Sequence, residues 1–385
     1  MEFFDLKKQY QNLKSEIDAA VLRVLEGGVF IGGEEVEKFE KEAADFLGTK
    51  HAIGLNSGTD ALFLALKSLE IGAGDEVITT PFTFFATAEA VAAAGAKPVF
   101  VDIDPKTYNI DVSKIEAAIT SRTKVILPVH LFGQMADMAQ IKEIAQKYNL
   151  KIIEDCAQAI GATQVIHNSK TKAGLPAEAL AKAGTIGDVG CFSFFPTKNL
   201  GAYGDGGMAT TNNDEIATRF RMLKTHGSSP ENKYKNFVIG VNSRLDAIQA
   251  AILNVKIKYL DKWNSQRAAI AGRYDAGLKG IGDTTVPFVA PQNNHIYHQY
   301  TIRTAKRDQM AQALKLAGIP TMVYYSISLH LQPALEYLGY KAGDLPEAER
   351  ASREVLSLPI YPELGQAEQD KVIKAIKDFY GTPER

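Results

Sequence analysis

Hydrophobic and polar residues follow one pattern between about residue 50 and residue 212 and another after it. In the first part, short runs rich in β-branched and aromatic residues alternate with segments of helical periodicity. The predicted strands are 77–80, 99–104, 124–130, 151–155, 190–195 and 207–211. The helices predicted between them include 59–70 and 137–148. This alternation favours a mostly parallel sheet that is covered by helices on both faces.

The pattern changes from about Arg244 onwards. A long helical pattern at 245–273 is followed by shorter mixed elements at 297–303, 309–317 and 321–324. We therefore predict an α/β protein with a large mostly parallel sheet domain at 1–243, which includes an N-terminal arm, and a smaller α+β domain at 244–385. Within the large domain, residues 164–184 are rich in Ala, Lys and Gly, and they are interpreted as a surface insertion with a short helix at 176–183.

Composition excludes several classes of protein. The chain has 385 residues, of which 45% are hydrophobic and 23% charged, with a formal net charge of −2. This near-neutral balance lacks the electrostatic footprint of a nucleic-acid or membrane-surface binder, and no run of ~18 apolar residues predicts a membrane span. Two distant cysteines, Cys156 and Cys191, form neither a disulfide framework nor a C-x-x-C site. With no secretory signal pattern at the start, the cytoplasm is the predicted compartment.

Common catalytic motifs are missing from the sequence. It contains no P-loop, no G-x-G-x-x-G, no H-E-x-x-H and no G-x-S-x-G. His295 and His298 are spaced i,i+3 in a strand-like stretch, which points them to opposite faces, so they are interpreted as structural and no metal site is predicted.

Three other features carry candidate chemistry, one at the start of a predicted helix and two at the ends of predicted strands. Ser57 and Gly58 open a helix, where free N–H groups favour a phosphate, although an ordinary capped helix shows the same pattern. Asp155 ends a buried strand and could hold a cationic group, or simply cap a helix. Lys198 follows another strand beside a glycine-rich turn, where desolvation would make its amine nucleophilic, although most lysines are solvated surface charges. Together, a phosphate cradle, an acid and a lysine on one parallel sheet indicate an enzyme that uses pyridoxal phosphate (PLP).

Several motifs resemble those of one family. They are S-G-T-D-A-L at 57–62, E-D-C-A-Q-A-I-G-A at 154–162, F-S-F-F-P-T-K-N-L-G at 192–201, G-D-G-G at 204–207 and N-S-R-L-D at 242–246. They are similar to those of the DegT/StrS family of PLP-dependent nucleotide-sugar aminotransferases, and the likeness runs almost from end to end. The resemblance implies a fold-type I, aspartate-aminotransferase-like fold and a homodimer with active sites at the subunit interface. It also implies L-glutamate as the amino donor.

The resemblance also assigns roles to residues. For the cofactor they are Gly58 and Thr59 in the phosphate cradle, Phe84 stacked on the ring, Asp155 at the pyridine nitrogen, Gln158 beside the phenolic oxygen, Ser193 as a further hydroxyl of the cradle, Lys198 as the Schiff-base lysine and Asn242 reaching the phosphate from the neighbouring subunit. Phe84 also fits a core aromatic. For the substrate, His330 matches a position near the sugar nucleotide, and Arg244, which follows Asn242 in the same motif, is assigned to placing the substrate.

The resemblance implies transfer of an amino group from glutamate, with Lys198 and Asp155 as the catalytic pair, to a UDP- or dTDP-linked keto sugar. The product would enter cell-surface polysaccharide, such as lipopolysaccharide, or a glycosylated natural product. Gln158 favours sugar carbon 3, whereas family members acting at carbon 4 more often have His or Glu there. Two other functions compete with this one. Lys198 speaks against a sugar dehydratase of this family, because such a dehydratase would have histidine in its place. A regulatory protein that binds PLP without turnover stays an alternative.

Overall fold

The predicted alternation of strands and helices is the framework of the fold. The computed structural model describes residues 1–168, 177–229 and 232–381. In these residues the strands are β1 His51–Leu55, β2 Glu76–Thr79, β3 Lys97–Phe100, β4 Thr123–Ile126, β5 Lys151–Asp155, β6 Thr163–Asn168, β7 Ala177–Lys182, β8 Val189–Ser193, β9 Gly207–Thr211, β10 Ser228–Ser229, β11 Asn232–Asn236, β12 Asn293–Asn294, β13 Tyr300–Arg303 and β14 Val355–Leu358. The α-helices are α1 Leu6–Gly27, α2 Glu34–Leu47, α3 Gly58–Ser68, α4 Ala86–Ala93, α5 Ile115–Ala118, α6 Met138–Tyr148, α7 Asp214–Leu223, α8 Ala247–Lys256, α9 Leu260–Leu278, α10 Arg307–Leu316, α11 Pro346–Glu354 and α12 Gln366–Gly381.

The central sheet of the described residues has seven strands in the order β1-β9-β8-β5-β4-β2-β3. The run from β3 to β8 is parallel throughout, while β9 lies antiparallel between β8 and β1. The prediction of a mostly parallel α/β fold is therefore confirmed. Because β1 pairs antiparallel with β9, it runs in the same direction as β8. The carboxyl ends of β1, β5 and β8 consequently lie at one edge of the sheet, where ligands of such folds bind.

Both faces of this sheet are buried. Consecutive residues of one strand enter different hydrophobic clusters: Val77 packs with α3 and α7, whereas Ile78 packs on the face that α1, α2 and α8 cover. Ile153 and Ile152 of β5 divide in the same way. Since side chains alternate across a strand, a continuous apolar run is what burial on both faces requires. This is why the predicted strands have no polar face.

A separate hydrophobic cluster is formed by the last third of the chain. It includes residues of α9, α10 and α12 together with the antiparallel pair β13–β14. The helix α8, in contrast, packs against α1 and α2 of the sheet layer. The domain boundary at 243/244 stays a prediction. In the described ranges, no helix is both long and apolar enough to cross a membrane.

The short helix predicted at 176–183 is wrong. Ala177–Lys182 is the strand β7, which pairs antiparallel with β6, and β6 also pairs with β12. Alanine favours a helix, but pairing with β6 satisfies the backbone of the segment as a strand instead. Residues 169–176 of the predicted insertion lie outside the described residues.

The long helix predicted at 245–273 is interrupted. It consists of α8 and α9, which are joined by a 3₁₀ turn at Ile257–Tyr259. Several predicted strands also extend too far: β4 ends at Ile126 rather than at residue 130. The apolar residues beyond Ile126 stay buried but belong to the loop at the sheet edge, so hydrophobicity alone did not reveal the end of the ladder.

Candidate active site

Asp155 and Lys198 come from neighbouring parallel strands. Asp155 is the last residue of β5, and Lys198 follows β8 after a turn in which its N–H donates to the Phe195 carbonyl at 2.8 Å. The charge of Lys198 lowers the pKa of Asp155, and the charge of Asp155 raises the pKa of Lys198. The sheet thus brings together the two residues that the sequence predicts as a catalytic pair.

Asp155 is a buried carboxylate, with only 5% of its surface exposed. The hydroxyl of Thr87 donates to one of its oxygens at 2.8 Å, and the Ala157 N–H donates to the other at 3.1 Å. Burial raises the pKa of Asp155, while these hydrogen bonds and the charge of Lys198 oppose the rise. A cationic ligand beside this carboxylate would stabilise its ionised form further, because an opposite charge favours ionisation.

The preceding acid, Glu154, points to the other face of the strand and is fully buried. His130 Nε2 lies 2.9 Å from it, and backbone N–H groups of the loop 184–187 donate to it at 2.7–3.0 Å. Because His130 Nδ1 accepts from the Ala136 N–H, the proton of a neutral imidazole sits on Nε2 and is donated to Glu154. Cys156 is close enough to complete a group that could hold a metal ion. The ring nitrogens of His130 and the oxygens of Glu154 already have protein partners, so this network fixes the loop.

Lys198 is only partly exposed. Burial lowers the pKa of its amine to about 8, and the charge of Asp155 only partly opposes this effect. Among the described residues, no hydrogen bond from its amine to a carboxylate is present. A lysine of this kind supplies free amine near neutral pH, which nucleophilic attack and proton transfer require.

Gln158 lies on the loop after Asp155. Its Oε1 accepts from the Phe132 N–H at 2.7 Å, and its Nε2 donates to the hydroxyl of Tyr325 at 2.9 Å. The ring of Phe84 is 6.3 Å from that of Tyr325 and is 61% exposed. An exposed aromatic ring at this edge is a surface on which a planar ligand could stack, and the alternative of a core aromatic does not hold for Phe84.

The predicted phosphate cradle is the first turn of α3. The Ser57 hydroxyl caps this helix by accepting from the Asp60 N–H at 3.1 Å. The N–H groups of Gly58 and Thr59, at the start of the helix, have no intrahelical partner. A side chain on Gly58 would place its Cβ 2.7 Å from the Cβ of Ser193. Glycine is therefore required for the helix start to approach β8 this closely.

Three predicted residues remain: Asn242, Arg244 and His330. Asn242 is exposed, and its neighbour Ser243 donates to the Asn56 side chain at 3.1 Å, next to the cradle. The Nε atom of Arg244 is buried and has no hydrogen-bond partner within the described part of the chain.

His330 is 2% exposed, and its ring nitrogens lie 2.8 Å from Ser328 and 3.1 Å from Glu349. Both ring nitrogens of His330 therefore already have partners within the protein. A substrate contact by His330 stays a prediction.

Sequence reasoning missed Thr87 and Tyr325. Thr87 contacts Asp155 across 68 positions and Tyr325 contacts Gln158 across 167, so local periodicity holds no sign of either contact. The only hint was that Thr87 ends the P-F-T-F-F-A-T segment that contains Phe84.

His295 and His298 are buried, and burial lowers the pKa of His295 to about 3 and that of His298 well below its ordinary value.

The residues at this edge fit pyridoxal phosphate. Asp155 is placed to bind a protonated pyridine nitrogen, and the amine of Lys198 can react with an aldehyde. The amide of Gln158 can donate to a phenolic oxygen, and the start of α3 can bind a phosphate. Gly58 has no side chain, and a Cβ there would lie 2.7 Å from the Cβ of Ser193, so the start of α3 and the Ser193 side chain lie close together at this edge. Each chemical feature of the cofactor therefore has a complementary group on this chain.

Comparison with known proteins agrees with this geometry. A profile of the DegT/DnrJ/EryC1/StrS aminotransferase family matches residues 11–377. A pleiotropic regulatory protein of Geobacillus stearothermophilus is 51% identical over 378 residues, which is 98% of this chain and 97% of that protein. A UDP-2-acetamido-2-deoxy-3-oxo-D-glucuronate aminotransferase of Pseudomonas aeruginosa is 46% identical over 367 residues, 95% of this chain and 97% of that protein.

A solved structure is similarly close. The structure of S. venezuelae DesV in complex with a ketimine intermediate has a TM-score of 0.93 and 42% identity, and the match covers 100% of this chain and 99% of that chain. The resemblance seen in the sequence is thereby confirmed, and so is the prediction of a PLP-dependent enzyme. The chain belongs to the DegT/DnrJ/EryC1/StrS aminotransferase family of PLP-dependent sugar aminotransferases.

Proposed function

We propose that this enzyme transfers the amino group of L-glutamate to carbon 3 of a keto sugar linked to UDP or dTDP. The observation that carries the proposal is the pair of Asp155 and Lys198, a buried acid and a lysine of lowered pKa on adjacent strand ends. Such a pair serves a reaction in which a positive charge is held on a ring while a proton is moved beside it.

The site residues divide the work. Bound PLP supplies an aldehyde that takes up the amino group and a ring that accepts electrons. Lys198 would move one proton: its uncharged amine would take the α-proton of glutamate as a general base, and the resulting ammonium would donate that proton, as a general acid, to the former aldehyde carbon of the cofactor. Asp155 would hold the proton on the pyridine nitrogen, and the hydrogen bond from Thr87 favours the ionised form of Asp155 and orients it. The amide of Gln158 would donate to the phenolic oxygen, and the start of α3 would hold the phosphate.

Substrate and assembly are inferred from less direct observations. The P. aeruginosa relative is named for a UDP-linked 3-oxo sugar, and Gln158 is the residue type associated with carbon 3. Arg244, whose Nε has no hydrogen-bond partner among the described residues, lies two positions after Asn242, and we assign one phosphate contact and one substrate contact to this segment. We further propose a cytoplasmic homodimer in which Asn242 completes the site of the partner, with the amino sugar destined for cell-surface polysaccharide or a natural product.

Two alternatives make different predictions. A carbon-4 aminotransferase would use the same residues with another sugar. A protein that binds PLP without turnover is the second alternative, and it is kept because the G. stearothermophilus relative is named a regulatory protein. The lowered pKa of Lys198 favours catalysis over simple binding.

The reverse reaction separates these possibilities. PLP-loaded protein is incubated with 2-oxoglutarate and a UDP- or dTDP-linked sugar that has its amino group on carbon 3 or carbon 4, and glutamate formation is measured. We expect glutamate from a carbon-3 sugar and none with Lys198→Ala. Glutamate from carbon-4 sugars alone would support the first alternative. Bound PLP without glutamate from either class would support the second.

A further inference from the structure

The amide of Gln158 is held from two sides by distant parts of the chain. Phe132 belongs to the loop after β4, whereas Tyr325 belongs to the segment after α10, 167 positions away in sequence. The two hydrogen bonds, 2.7 and 2.9 Å long, leave the side chain of Gln158 little freedom to rotate.

Phe132 determines which end of the amide carries the oxygen. A backbone N–H is only a donor, so the atom of Gln158 that faces it must be the carbonyl oxygen. Phe132 adopts a left-handed backbone conformation with φ of 58°, which is strained for an aromatic residue, and its side chain is buried against Phe82 and Tyr108. This packing keeps the N–H directed at Gln158.

Tyr325 fixes the other end. The Gln158 amide nitrogen has two protons, and one of them is donated to the Tyr325 oxygen. Burial raises the pKa of the Tyr325 phenol, so it stays a neutral acceptor across the physiological range. Its ring contacts Phe82 at 6.1 Å and Phe84 at 6.3 Å between centroids. The second amide proton of Gln158 is thereby left for a ligand.

We propose that Tyr325 is a positioning residue, which locks the Gln158 amide so that its remaining N–H donates to the phenolic oxygen of the cofactor. This inference rests on the proposed role of Gln158 at that oxygen. A hydrogen bond to an ionised oxygen stabilises the ionised form. Tyr325 therefore helps to set the pH at which the visible absorbance of the PLP-loaded enzyme changes, although it acts only through Gln158.

The test is a pH titration of the visible absorbance of the full-length, PLP-loaded protein. Tyr325→Phe removes one hydroxyl and keeps the ring, so Gln158 should donate less effectively. We expect the absorbance transition to move upward by about one pH unit, the effect of weakening one hydrogen bond to a charged oxygen. Gln158→Met, of similar volume, should move it in the same direction, and the double variant should move it no further than Gln158→Met alone.

Tyr274→Phe is the matched control. Tyr274 is fully buried in the cluster of α9, α10 and α12, and its hydroxyl donates to the Pro359 carbonyl at 3.0 Å, so the variant also loses one buried phenol hydrogen bond. Its absorbance transition should coincide with that of the wild type.

Other outcomes overturn the inference. An unchanged transition in Tyr325→Phe, while wild-type protein binds PLP and loses its visible band with glutamate, would refute the role of Tyr325 and leave the proposed function intact. Additive shifts in the double variant would mean that Tyr325 acts independently of Gln158. Wild-type protein that never develops a visible band with PLP would overturn both the inference and the proposed function.

Discussion

The most direct chemical consequence of the site is the reactivity of Lys198 in the protein before any cofactor is added. Burial lowers the pKa of its amine from 10.5 to about 8. At pH 7, an amine of pKa about 8 is roughly 9% uncharged, whereas one of pKa 10.5 is about 0.03% uncharged. Lys198 should therefore hold roughly 300 times more free amine at pH 7 than an unperturbed lysine.

Competitive acetylation followed by peptide mass spectrometry measures this difference. A trace of acetic anhydride is added to cofactor-free protein between pH 6 and pH 11, and the labelling of each lysine is followed. Labelling of Lys198 should be half-maximal near pH 8, because only the uncharged amine reacts. Lys38, on the surface of α2, provides an internal reference for the reagent.

The Asp155→Asn variant tests the cause of the shift. The carboxylate of Asp155 raises the pKa of Lys198 and so opposes the effect of burial. Removal of this charge should move the labelling midpoint of Lys198 to lower pH. A wild-type midpoint near 10.5, or a midpoint that rises in Asp155→Asn, would refute the reasoning that burial makes Lys198 the reactive amine.

Three further predictions concern the surrounding structure. Thr87→Val removes a hydrogen bond to ionised Asp155, so the dissociation constant of PLP, measured by absorbance titration, should rise by roughly tenfold or more. His130→Ala leaves the fully buried Glu154 without its side-chain partner, and the free energy of unfolding in urea should fall by about 3 kcal/mol. Gly58→Ala would place its Cβ 2.7 Å from the Cβ of Ser193, which would displace the start of α3. PLP should therefore bind more weakly to this variant.

Each of these variants has a matched control. Thr218→Val removes an exposed hydrogen bond within α7 and should leave PLP affinity unchanged. His51→Ala removes a surface partner of Asp214 and should cost no more than about 1 kcal/mol. Gly272→Ala adds a Cβ to α9 where, among the described residues and apart from the helix's own backbone and the neighbouring residues, no atom lies within 4 Å. This variant should leave PLP affinity unchanged and stabilise the helix by about 0.5–1 kcal/mol. A control variant with an effect as large as its partner's would contradict the corresponding assignment.

Much of the central sheet could be predicted because its physical signal is local. A strand buried on both faces reads as a short apolar run, and 151–155 and 207–211 were predicted with the bounds of β5 and β9. The first strand, β1, was not predicted, since His51 and Gly54 interrupt its apolar pattern. The segment 177–182 was assigned to the wrong type of element because its alanines favour a helix, whereas a distant partner strand decides its conformation.

The site could be predicted in part for the same reason. Asp155, Lys198 and Gly58 follow strands or begin a helix, so the topology of a parallel sheet places them at one edge. The contacts that adjust them come from elsewhere: Thr87 from the first turn of α4 and Tyr325 from the segment after α10. Hydrogen bonds between residues so far apart in the chain leave no local pattern in a single sequence, so they could not be predicted from it.

The central claim is that Lys198 catalyses amino-group transfer at a PLP site built around Asp155. The most direct measurement is a single turnover, in which PLP-loaded protein is mixed with L-glutamate in the absence of any keto sugar. We predict that the visible band is lost as about one equivalent of 2-oxoglutarate forms per site, and that Lys198→Ala forms none on the same timescale. A band that persists with glutamate, or a Lys198→Ala variant as fast as the wild type, would contradict the claim.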